Sequence, residues 1–206
     1  MNIAFRELTI RLLGLAGLAS ALAFFSVFVF LHWFVPGVIL DYISDYANTP
    51  YGGLFQVVLA LHGLGNLAIA FGLLLSIRSS RMGEAATVLL MAASAGTVIA
   101  AIVPTDPSGA SATLSGSLHI AAAFVSFMLE ALSIVLLAPV FWEALSWRAM
   151  AIPTLCAVGI GMAGFVWLFT SWQTGAPTGF AEHAAVMPFF WWETIVALRL
   201  MALRLF

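Results

Sequence analysis

His62, Glu130 and Glu193 each sit deep inside a long apolar run. Ionisable groups in hydrocarbon are costly, which makes them the first places to look for chemistry. At ~1.5 Å per residue from the ends bearing the acidic loops, His62 lies ~12 Å, Glu193 ~15 Å and Glu130 ~18 Å deep. His119, Ser126, Glu130 and Ser133 form one polar stripe at about 100° per residue. His62 and Asn66 share a face at i,i+4, and Glu182 and Glu193, eleven apart, share another. Three polar seams of this kind predict a cavity with His62, Asn66, Glu130 and Glu193 at its floor. The plainer alternative is interhelical hydrogen bonding. Two carboxyls facing one low-dielectric cavity are not expected to be charged together, and His62 is their natural proton-sharing partner.

Nearer the surface, Asp45, Asp106, His119, Glu182 and His183 are the candidate catalytic residues of a rim. His119 is expected within hydrogen-bonding or shared-ligand distance of Asp106 or Asp45. Asp106, His119 and His183 are weak candidates for a metal, because imidazoles with a carboxylate can hold zinc and leave a position open for water. Their spacing is not diagnostic, since His-Glu-x-x-His is absent. Haem is disfavoured: only His62 is deep, and a bis-histidine site needs two histidines at matched depth. Nucleophile, phosphate-loop and dinucleotide motifs are missing, and Gly63-Leu64-Gly65 reads as helix packing inside a span.

The elements that must carry these residues follow from composition. Of 206 residues, 63% are apolar and 8% charged, against about 25% charged in a soluble domain. Hydrocarbon is therefore the solvent for most of the exterior, and the chain reads as one all-α membrane domain over 1–206. Spanning runs are read at about 12–35, 55–77, 85–103, 118–138, 152–172 and 184–205. Turn chemistry separates them, as at Pro36-Gly37, Asn48-Thr49-Pro50 and Pro104–Gly109. The first run is too long for the 7–15 residues or so of a signal-peptide core and reads as a span. Ala92, Gly96 and Ala100, and Ala157 with Gly161, are small residues at the four-residue spacing of close helix contacts. Cys156, the single cysteine, excludes an intrachain disulfide and a cysteine-cluster metal site.

Charge sets the orientation. Arg6, Arg11, Arg78, Arg81, Arg148, Arg199 and Arg204, with no lysine anywhere, all fall on one side of a six-span chain. The positive-inside rule makes that side, and both termini, cytoplasmic in the cell's inner or plasma membrane. The other side receives His32, Asp41, Asp45, Asp106, His119, Glu182 and His183, with Trp33, Tyr42, Tyr46, Tyr51 and Trp172 as an aromatic belt. A net charge of −2 gives no reason to expect nucleic acid.

Three stretches carry a family resemblance: Asp41–Tyr46; Pro104–Pro107 with Thr113–His119; and Gly179–Glu182 with Val196–Leu200. Together they resemble the six-span prokaryotic membrane family catalogued as domain of unknown function 998. The resemblance implies a six-helix bundle and makes Ser44, Asp45, Asp106, His119 and Glu182 the positions matching the family's polar pattern. It supplies no activity. One departure is His183, where the family leads one to expect an arginine.

Three function classes remain. The first is an enzyme or binder acting on a lipid or other hydrophobic small molecule from the outer side. The second is an accessory or structural subunit of a larger membrane complex, and the third a proton-coupled transporter without visible repeats or broken helices. All three share one topology, which cysteine labelling tests in a Cys156→Ala background in intact cells. An impermeant reagent is expected to label Gly109→Cys but not Ser80→Cys; the reverse pattern overturns the orientation.

Overall fold

The computed structural model describes residues 2–35, 42–77 and 80–204. Asp41 and Arg78 lie outside the described residues. Six helices are long and apolar enough to cross a membrane: α1 (Ile3–Phe34), α2 (Gly52–Ser76), α3 (Arg81–Ile102), α4 (Leu114–Glu143), α5 (Ala151–Thr174) and α6 (Gly179–Ala202). Several outrun the apolar segments that announce them, α1 at its start and α4 at both ends. The reason is capping. Asn2, Ser80 and Thr113 accept from the backbone N–H of Ala4, Gly83 and Gly116 at 3.0–3.1 Å, so polar turns beyond the hydrocarbon stay helical. Gly175, at φ 69°, ends α5 in the left-handed conformation that glycine favours.

Consecutive helices pack on one another and α6 returns to α1, so the bundle closes as a ring. At one end, arginines satisfy carbonyls of helix endings and of the α4–α5 connection. Arg6 donates to Leu75 O at 2.7 Å, Arg199 to Ser146 O at 3.0 Å and Arg148 to Trp142 O at 3.0 Å. This arginine end holds the start of α1, the finish of α6 and the α4–α5 connection. The opposite, acid end holds a 3-10 turn (Ile43–Asn48) and the loop from Val103 to Thr113.

The interior is not filled evenly. Ile69, Leu73, Leu90, Ile134, Phe141, Trp192 and Val196 make a dense core toward the arginine end. Toward the acid end, Phe24, Phe28, Phe55, Tyr46 and Phe190 fill the space between α1, α2 and α6. The side framed by α3, α4 and α5 stays open.

Glycines set how closely the helices approach. A Cβ on Gly63 would lie 3.1 Å from Ser94 O of α3, one on Gly96 3.3 Å from Ala122 O of α4, and one on Gly14 2.8 Å from Ala197 O of α6. Gly65 meets Ser20 of α1 in the same way, and Gly161 and Gly164 press α5 against α6. Among the described residues no glycine makes such a contact between α4 and α5. That pair is the loose seam of the ring.

Gly164 is the most demanding of these positions, since its Cβ would come within 2.3–2.5 Å of the Ala184–Ala185 backbone. Gly164→Ala is therefore expected to cost about 1–3 kcal/mol by overpacking. Gly159 has nothing within 4 Å, and Gly159→Ala should stay within about 0.5 kcal/mol of the parent. Thermal unfolding in detergent compares the two, and equal losses would refute this packing.

Candidate functional site: an acid-rimmed cavity

A cavity of about 1020 Å³ occupies the open side of the ring. Ser44, Asp45, Asp106, His119 and Glu182, the five positions matching the family's polar pattern, all line it. His62 and Glu130 line it at depth, and the rest of the wall is mostly apolar. Ile120 and Phe124 of α4 and Val166 and Phe169 of α5 belong to this wall yet are 63%, 49%, 66% and 59% exposed. The cavity therefore opens sideways through the α4–α5 seam.

The rim acids are occupied by the loops themselves. Asp45 accepts from Tyr42 N at 3.2 Å, Asn48 Nδ2 at 3.4 Å and Ser108 Oγ at 2.6 Å, which joins the two acid-end loops. Glu182 accepts from Ile43 N at 2.5 Å and ties α6 to the first loop. Asp106 accepts from Thr113 N at 2.8 Å and Thr113 Oγ1 at 2.7 Å. Those two bonds, the backbone one foremost, hold its carboxyl below the ordinary aspartate value of 3.8. A depressed pKa means this tie is in place at neutral pH and is lost only as the pH falls through the lowered value.

His119 does not meet the acids. Its Nδ1 lies 3.0 Å from the carbonyl of Val103, the C-cap of α3, rather than against Asp106 or Asp45. The physical reason is that a helix-ending carbonyl lacks an intrahelical donor, while Asp106 is already engaged by Thr113. Nor do Asp106, His119 and His183 form a ligand set. Among the described residues no group of three histidine, cysteine or acidic side chains could hold a metal. His183 turns instead to His32 of α1, with the two Nε2 atoms 3.2 Å apart. That pairing escapes sequence reasoning, because nothing in the spacing says that α1 and α6 are neighbours.

At the floor the expected constellation assembles. Asn66 Nδ2 donates to Glu193 Oε1, and His62 Nε2 stands 3.4 Å from Glu193 Oε2. The Glu130 and Glu193 carboxyls are neighbours, and two carboxylates so placed in a low dielectric do not both stay charged. His119, Ser126, Glu130 and Ser133 are all buried, as the stripe predicts. Ser126 and Ser133 use that position to donate to Ala93 O at 2.6 Å and Ala86 O at 2.7 Å, fastening α4 to α3. Phe24 and Phe190 flank the His62 ring at 5.1 and 4.4 Å. Glu130 Oε1 and His62 Nδ1 are buried without a protein partner. Such a floor leaves two polar atoms open to a polar group of a ligand.

Because Glu193 is the hub, Glu193→Ala is expected to cost most, stranding Asn66 and leaving His62 unpaired. Glu130→Ala should cost about 1–3 kcal/mol, and Glu130→Gln, which keeps the side chain's size and polar end, close to nothing. Thermal unfolding of the three variants gives the order. Equal losses from Glu130→Gln and Glu130→Ala would sink this account of the floor.

No curated protein and no solved structure matches the chain. A family model does, over residues 18–199, from within α1 to within α6. With six spanning helices under that match, the chain belongs to the family described as protein of unknown function DUF998.

Proposed function

We propose that this protein is a binder of a lipid or lipid-like amphiphile in the cell membrane, taken from the outer leaflet through the α4–α5 seam. The observation that carries the reading is one cavity, about 1020 Å³ in volume, that is open to the lipid side and has partnerless Glu130 Oε1 and His62 Nδ1 at its floor. Pockets for drug-sized ligands run to about 300–1,000 Å³ with a few placed polar groups, so the space suits an acyl or isoprenoid chain. In this reading the acid end faces outside and the arginine end the cytoplasm, as the positive-inside rule asks. The ligand carries a hydroxyl, amide or amine that meets the floor, while the apolar wall takes its hydrocarbon. A second reading, ligand movement coupled to protons, draws on the Glu130–Glu193–His62 contacts, which link the cavity floor to a carboxyl behind it.

Native mass spectrometry of protein extracted in mild detergent tests the binding. One retained lipid-like molecule per chain is expected. Ala123→Trp, which fills the cavity from α4, is expected to lose it while keeping its melting temperature. If the parent carries no ligand, or the variant retains it, the reading fails. Co-purification of partner chains with an empty cavity would instead favour an accessory subunit.

A further inference from the structure

His32, in the last turn of α1, and His183, in the first turns of α6, meet beside the cavity and are not part of its wall. Each ring is held by its other nitrogen. His32 Nδ1 lies 2.9 Å from Phe28 O, and His183 Nδ1 lies 2.6 Å from Gly179 O. A carbonyl oxygen only accepts, so both Nδ1 atoms carry hydrogen. In a neutral imidazole that leaves Nε2 as a bare lone pair. The two Nε2 atoms, 3.2 Å apart on rings at 90°, therefore aim lone pair at lone pair. Such a contact is repulsive unless a proton or a metal cation lies between.

We propose that His32 and His183 form a divalent transition-metal site, of the class that takes Zn²⁺ or Cu²⁺, bridging α1 and α6 at the acid end. Two imidazole nitrogens each about 2.0–2.1 Å from one tetrahedral ion would stand roughly 3.3 Å apart, close to the separation seen. Metal-ligating histidines usually donate their second N–H to a carbonyl or carboxylate, as both rings do here. Imidazole ligands suit zinc and copper. The Tyr46 hydroxyl also lies against the pair, 3.0 Å from His32 Nδ1. Among the described residues no third histidine, cysteine or acid joins the pair. The remaining positions fall to water or to an oxygen ligand arriving from outside. This site does not depend on the cavity reading.

Tag-free full-length protein, stripped with chelator, is titrated with Zn²⁺ and separately with Cu²⁺. Expected are one bound equivalent per chain, a melting temperature raised by metal, and copper electron paramagnetic resonance with nitrogen couplings from two imidazoles. His32→Asn and His183→Asn should each lose the melting shift and reduce the coupling to one nitrogen or none. Absence of imidazole coupling in the parent overturns the proposal even if a variant fails to fold. Binding untouched by both substitutions also overturns it, placing the ion elsewhere. Stabilisation by acid alone, without metal uptake, would assign the pair a shared proton and equally overturn it.

Discussion

Inside hydrocarbon a polar atom has no water to fall back on, so each must find its partner within the bundle. Most of the molecule follows from that requirement. Ser126 and Ser133 answer it by donating to carbonyls of α3. Arg6 answers it at the end of α2 and Arg199 in the α4–α5 connection, and Asn66 answers it at Glu193. Against so thorough a settlement, the atoms left over stand out. Two of the buried atoms without a partner, Glu130 Oε1 and His62 Nδ1, belong to residues of one cavity floor.

The ring is also uneven in stiffness. Helices joined through glycine approach backbone to backbone, as α5 does to α6 at Gly161 and Gly164. Between α4 and α5 bulky side chains stand at the surface instead, among them Phe124 and Phe169. Glycine contacts of that kind favour tight association in membranes, and among the described residues the α4–α5 seam has none. The cavity lies behind that seam.

Much of this was legible in the residues. Hydropathy and the one-sided arginines give the six helices, and depth counting places His62, Glu130 and Glu193 at one level before any contact is known. The polar stripe on α4 follows from periodicity alone. The helix ends were harder to read, because caps such as Asn2 and Thr113 extend helices into polar sequence. His119 was harder still. Its partner is the Val103 carbonyl, a backbone atom whose availability no side-chain pattern records. The rim acids were read as free chemistry, yet Asp45 and Asp106 close loops through Ser108 and Thr113, small hydroxyl residues that could bond anywhere. The resemblance located the positions around the cavity without saying what they face.

Pro188 lies inside α6, between Glu182 at the rim and Glu193 at the floor. A proline has no N–H for the carbonyl four residues back, and its ring pushes that carbonyl aside. The carbonyl belongs to Ala184, the residue against which Gly164 of α5 leaves room. The glycine thus leaves room beside an oxygen that Pro188 gives no helical donor. The half of α6 before Pro188 carries the strap to Ile43, and the half after it carries the hub carboxyl. A bend at Pro188 would move the rim relative to the floor at the one place in between where the helix lacks a hydrogen bond to lose.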